Sequence, residues 1–231
     1  MGGLYNPISD GLESLPAEEK VICEEYLGFS NASITQPQMW YLLRAFGKQL
    51  GHEILAHEPV VVDFLNEFQE ADGPASLWLP TGGNWEIQSN IYKQTWQHDL
   101  PYFSAAGEFD WQDYIYEADV RADSGGYVGI CARFSSIEQA YLFYLRIGSG
   151  NCRLAKAPFN TLVETAGGSL SLSQGTWYRL KMELDGKKIK CYVDGQLQIS
   201  HTDPSEIVAG KIGLWCYWTA ISCKYAKAWS D

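Results

Sequence analysis

Residues 175–198, GTWYRLKMELDGKKIKCYVDGQLQ, spell out a complete β-hairpin. Leu180, Met182 and Leu184 alternate with Arg179, Lys181 and Glu183, and after Asp185-Gly186 the alternation resumes with Ile189, Cys191 and Val193 against Lys190, Tyr192 and Asp194. A period of two places each apolar set on one face of a strand, and that face has to be buried. Asp-Gly suits the turn because glycine accepts positive φ without steric cost. A second such pair, Asp194-Gly195, reverses the chain again toward residues 196–200.

Further strand-like phrases lie on both sides of the hairpin. Residues 83–92 (GNWEIQSNIY) read as an opening strand with Asn90 at a turn position, a residue that tolerates the left-handed region. Residues 114–121 (YIYEADVR), 126–134 (GYVGICARF), 140–147 (AYLFYLRI), 210–215 (GKIGLW) and 224–229 continue the series. The order of these phrases, with a Trp opening one hairpin strand and I-x-C-Y-V-D-G closing the next, resembles the laminin-G-like domains of the concanavalin A-like lectin/glucanase superfamily. The resemblance covers residues 76–231 and implies a mainly β fold, a two-sheet antiparallel jelly-roll sandwich. It also implies a non-catalytic carbohydrate-recognition or adhesion module, since such domains mostly bind sugars. The sequence is similar as well to the 3-keto-disaccharide hydrolase branch of that fold, which keeps a glycoside-processing enzyme as an alternative.

Charge divides the chain. Of its 231 residues, the first 74 hold twelve acids and three bases, whereas residues 75–231 hold sixteen acids and fourteen bases. A formal charge of −11 repels phosphate backbones and anionic lipid, so nucleic acid and membrane surfaces are poor partners. No stretch approaches the roughly 20 apolar residues of a membrane span. The first residues lack the basic flank and apolar core of a secretory signal, so a soluble chain is expected, cytoplasmic as written and secreted if a leader has been removed. Asn6 stands where a myristoylation motif needs Ser or Thr.

The acidic first third, which the resemblance does not cover, reads as a small helical appendage over residues 1–74. Ser14 and Pro16 start a helix that Gly28 ends. A second begins at Pro37, with Met39, Trp40, Leu43, Phe46, Leu50, Ile54 and Leu55 on one stripe. Val60, Val61, Phe64, Leu65 and Phe68 suggest a third, and Asp72-Gly73-Pro74 reads as a linker to a sandwich over 75–231. The helices form either a bundle packed on the sandwich or an assembly segment that buries its stripe on another subunit, by self-association or on a protein partner. That second case makes the protein a structural or adaptor subunit. His52-Glu53-Ile54-Leu55-Ala56-His57 imitates the H-E-x-x-H zinc signature, but histidines five apart on a helix point roughly 140° away from each other and cannot grip one zinc.

Candidate ligand contacts come from the sandwich. Sugar rings pack C–H groups on aromatic faces and offer hydroxyls to planar polar partners. If Ile212, Leu214 and Cys216 face the core, Trp215 and Tyr217 face away from it, with Trp218 at the strand end. Tyr127, Gly129, Cys131 and Arg133 share one face by the same alternation, and Leu142, Tyr144 and Arg146 another. Trp85 and Trp177, at strand starts, read as structural. Glu117-Ala118-Asp119 imitates the E-x-D-x-x-E strand of family 16 glucanases, but Ala122 replaces the acid, and retaining hydrolysis needs two carboxyls about 5 Å apart. Glu117, Asp119 and Arg121 therefore make either a polar patch for hydroxyls or a salt-bridged exterior. The expected contacts are Trp215, Tyr217, Trp218, Arg133, Tyr144, Arg146, Glu117 and Asp119, with no catalytic residue and no resident metal or cofactor. Calcium is common in this fold, and Asp110 and the loop Asp123-Ser124-Gly125-Gly126 offer oxygens for it. Of the six cysteines, Cys216 and Cys223 are the pair to test for a bridge, unless their strands enter different sheets; Cys131 and Cys191 read as small buried hydrophobes.

Overall fold

The computed structural model describes residues 62–157, 161–167 and 170–230. In this part of the chain fifteen strands form two antiparallel sheets that face each other. Sheet A runs β13 (Gln196–Thr202), β12 (Lys188–Val193), β11 (Trp177–Asp185), β6 (Tyr114–Ala122), β15 (Ile221–Trp229), β4 (Ile91–Gln94) and β3 (Trp85–Gln88), with β1 (Asp63–Asn66) also paired to β15. Sheet B runs β10 (Thr161–Gly167), β9 (Asn151–Lys156), β8 (Gln139–Arg146), β7 (Tyr127–Ser136), β14 (Lys211–Tyr217), β5 (Pro101–Ala106) and β2 (Leu79–Thr81). Among the described residues no helix is long and apolar enough to cross a membrane.

The alternation expected from the sequence fixes the hairpin. Met182 pairs with Cys191 and Leu184 with Ile189, and all four are buried against sheet B. At the next turn Asp194 (φ 47°) and Gly195 (φ 77°) are both left-handed, the two-residue geometry whose twist matches the flanking strands. Ser89 (φ 53°) and Asn90 (φ 61°) do the same between β3 and β4, as Asn90 was expected to.

Tyrosines tie the two layers together. The Tyr116 hydroxyl donates to the Gly213 carbonyl at 3.1 Å, and Tyr92 shares a 2.8 Å hydrogen bond with Ser104, each linking sheet A to sheet B. Tyr141 donates to Asp203 at 2.5 Å, and Asp203 is also paired with Lys156 at 2.5 Å. A phenol supplies both the apolar body for the interior and a polar tip that finds a partner on the far side. Burial pushes the Tyr116 hydroxyl far above its ordinary pKa and that of Tyr92 up to about 12.

The sandwich starts earlier than the composition suggested. Phe64 and Leu65, read above as part of a third helix, lie in β1, which pairs with residues 226–229 of β15. Asn66 stops the strand: its side-chain oxygen accepts the Phe68 N–H at 2.6 Å and holds Phe68 at φ 54°. The Phe68 ring then stacks on Tyr92, with centroids 5.2 Å apart. The Asp72-Gly73-Pro74 segment is likewise part of the sandwich, because Gly73 exchanges hydrogen bonds of 3.0 and 2.7 Å with Ile87. The described sandwich therefore includes Asp63–Asn66 and Gly73, ahead of the boundary expected at residue 75. The helices expected before residue 62, and the His52–His57 pair, lie outside the described residues.

Cys216 and Cys223 form no bridge, since β14 carries the first into sheet B and β15 carries the second into sheet A. Cys216 instead lies 3.2 Å from the Gln94 amide nitrogen. Cys131 and Cys191 are buried and free, as expected of small hydrophobes.

Candidate functional site

Three strands of sheet B end together. Tyr127 opens β7, and the register places it opposite both Tyr217, the last residue of β14, and Arg146, the last of β8. Its ring centroid lies 5.7 Å from that of Tyr217 and 6.4 Å from that of Trp218. Tyr217 and Trp218 stack at 4.9 Å and 27°. The Arg146 guanidinium sits 5.5 Å above the Tyr127 ring, a cation–π distance. Tyr217 donates its hydroxyl proton to Asp99; that bond, with burial, pushes its pKa up to about 12. The result is a ledge of near-parallel rings with a cation at one side and a carboxylate at the other.

Trp218 is the outermost ring, 50% exposed, and its backbone is left-handed at φ 57°. A bulky residue in that region is strained, and such strain persists only where the surroundings over-determine it. The surroundings do so here. Thr219 donates to the Ser124 carbonyl at 3.0 Å, and the Ser124 hydroxyl accepts the Ala220 N–H at 3.2 Å. Gly126, at φ 124°, lies so close that a Cβ there would meet the Trp218 carbonyl oxygen at 2.6 Å. The buried Gln94 amide donates to the carbonyls of Thr219 (3.4 Å) and Trp96 (2.8 Å). One side chain thus staples together the two loops that carry the exposed tryptophans Trp96 and Trp218.

The structure brings five of the expected contacts into one array. Tyr217, Trp218 and Arg146 meet at Tyr127, which in turn packs edge-on against Tyr144 at 5.9 Å; Tyr144 contacts Trp215 at 4.9 Å. Trp215 does point away from the interface between the sheets, as the alternation implies, but it is fully buried, so it supports Tyr144 from within an apolar cluster. Tyr127, Arg146 and Tyr144 fall on the same face because Gly129 is opposite Tyr144 and Cys131 opposite Leu142.

Arg133 does not belong to this array. The ladder breaks its register after Ala132, and Arg133 adopts φ 48°, which turns its side chain off the face of Tyr127 and Cys131. It is 1% exposed, and its guanidinium donates to the carbonyls of Gln112, Gly186 and Ile207 and to Asp113, at 2.7 to 3.0 Å. With its donors spent on the protein, it acts as a strut.

Glu117 and Asp119 lie elsewhere again, on the side of sheet A turned away from sheet B. Asp119 takes two hydrogen bonds from Arg179, at 2.7 and 2.9 Å, while Glu117 accepts the Tyr225 hydroxyl at 3.1 Å. Of the two readings, this is the salt-bridged exterior. Trp177 packs on that same face between Arg121 and Lys224, each 4.8 Å from its ring, and Trp85 is buried, its indole N–H on the Gly82 carbonyl at 3.0 Å. Asp123 uses its carboxylate on Arg121 (2.5 Å) and Ser222 (2.6 Å). Among the described residues no three His, Cys, Asp or Glu side chains converge as metal ligands. Burial pushes the thiols of Cys152 and Cys216 up to about 11 and about 12, against nucleophilic use.

Comparison with known proteins gives the fold a context. No family model matches the chain. An extracellular exo-alpha-L-arabinofuranosidase of Streptomyces chartreusis is 27% identical over 138 residues, which is 57% of this chain and only 16% of that enzyme. Among solved structures, the carbohydrate-binding module CBM66 from Bacillus subtilis superposes with a TM-score of 0.60 at 19% identity, over 68% of this chain and 99% of that one. A Bacillus licheniformis beta-glucanase gives 0.58 at 11% identity, over 73% and 98%. The carbohydrate recognition domain of Emp47p gives 0.54 at 10%, over 72% and 94%. At such identities the likeness concerns architecture, and it establishes a two-sheet jelly-roll sandwich of the concanavalin A-like, galectin-like type.

Proposed function

We propose that this protein is a non-catalytic carbohydrate-recognition module and that the glycan lies on the ledge of Tyr127, Tyr217 and Trp218. The observation that carries the reading is the strained, half-exposed Trp218 stacked on Tyr217, a ring face fixed in place before any ligand arrives. Such a face accepts the C–H side of a sugar at little entropic cost, and Arg146 and Asp99 at its edges suit hydroxyls. The fold neighbours support saccharide binding in general. The short match to the arabinofuranosidase fits an accessory module of a larger enzyme. Catalysis by Glu117 and Asp119 is disfavoured because Arg179 and Tyr225 already engage both carboxylates.

The test is a glycan-array screen of the full chain followed by turnover assays on each hit. Binding without turnover, lost in Trp218→Ala and retained in Glu117→Gln, is expected. Hydrolysis abolished by Glu117→Gln would replace the module reading with an enzymatic one.

A further inference from the structure

Behind the aromatic ledge the same face of sheet B becomes cationic. On β8 Tyr144 and Arg146 point to this side, and the register sets Arg153 of β9 opposite Tyr144 and Asn151 opposite Arg146. Arg146 and Arg153 are therefore diagonal neighbours on adjacent strands, about 7–8 Å apart at the backbone and within reach of one small group between them. All three polar side chains are half-buried. The Nε atoms of both arginines and the Oδ1 atom of Asn151 are shut off from solvent and have no hydrogen-bond partner. Among the described residues no carboxylate forms an ion pair with either guanidinium, although the chain as a whole carries a charge of −11.

Leaving these groups bare is unfavourable. A buried unsatisfied donor costs on the order of 1–3 kcal/mol, and two neighbouring cations repel each other as well. Two other arginines find their partners within the protein: Arg133 has three carbonyls and Asp113, and Arg179 has Asp119. We propose that the Arg146–Asn151–Arg153 cluster binds the carboxylate of an acidic sugar, a uronic acid residue, whose ring extends over Tyr127 toward Trp218. The inference rests on the carbohydrate reading and names its ligand class. The two half-buried guanidiniums match a planar carboxylate, which Arg recognises in fork geometry.

Affinity electrophoresis of the full chain tests this, in gels containing polygalacturonate, alginate or glucuronoxylan, the carboxyl-reduced form of each, or dextran sulfate. At least one uronate polymer is expected to retard the protein, and its reduced form to bind about tenfold more weakly or worse. Arg146→Ala and Arg153→Ala should each weaken retention by about tenfold. Asn151→Asp offers a second route if those variants fold poorly: an internal carboxylate between the two arginines should raise the melting temperature and abolish retention by the uronate. Retention by neutral glycans alone would overturn the acidic-sugar assignment while leaving the carbohydrate reading intact. Equal retention by dextran sulfate, lost in the same variants, would make the cluster a general anion site and also overturn it. No retention by any polymer would remove both.

Discussion

The Arg133 guanidinium of β7 donates a 2.9 Å hydrogen bond to the carbonyl of Gly186, at the tip of the β11–β12 hairpin in the other sheet. With its bonds to Gln112 and Ile207, it satisfies loop carbonyls at one end of the sandwich that have no strand neighbour. Arg133→Met keeps the volume but strips these carbonyls of their donor. It should lower stability by about 3 kcal/mol or more, read from the urea midpoint, while Trp218-dependent glycan binding persists in the folded fraction.

Trp218 makes the opposite prediction. Trp218→Gly removes the ring and relieves a left-handed backbone, so stability should hold or rise by up to about 1 kcal/mol while glycan binding falls about tenfold. Thermal melts and titration calorimetry on one sample separate the two effects. Parallel losses of stability and binding would make Trp218 a packing residue.

Phe68 tests where the sandwich begins. It is fully buried on Tyr92 and Trp78, so Phe68→Ala should cost about 3–5 kcal/mol by chemical denaturation. A chain shortened to start at Ala75 loses β1 as well and should melt lower still. Unchanged melting in both would restore a boundary at residue 75.

Stability should decline in acid. Burial alone would raise the Asp203 carboxyl, but hydrogen bonds from Lys156 and Tyr141 outweigh it and hold the pKa below the ordinary 3.8. Glu183, bonded by Lys181 and Tyr192, is likewise held below 4.5. With the folded values beneath the unfolded ones, both groups contribute fully above the unfolded pKa and lose their contribution as pH falls through the folded one. Melting temperature should therefore drop below about pH 4.5, and Asp203→Asn should flatten that drop.

The strands were legible where one face alone is buried, because burial of Leu180, Met182 and Leu184 forces the period of two. The strand Asp63–Asn66 was hidden because Val61, Phe64, Leu65 and Phe68 fall at a helical spacing, and its partner, β15, lies more than 150 residues away. At the ledge, Tyr217, Trp218, Tyr144 and Arg146 could be read from alternation. Arg133 could not, since a single bulge inverts parity and no local sequence signal announces it. Asn151 and Arg153 lie on a strand whose alternation was not singled out, although Gly148-Ser149-Gly150 before it is a turn signal that would have drawn attention to them.

The place of β15 sets a timetable for synthesis. Residues 221–229 are inserted between β6 and the β4 and β1 strands, so sheet A has a gap at its centre until that stretch has left the ribosome. Until then, residues 62–220 present two unpaired strand edges to one another and to neighbouring chains. Closure of this sandwich therefore waits for residues 221–229, and a stop codon at Ser222 should yield an aggregating product rather than a slightly weakened one.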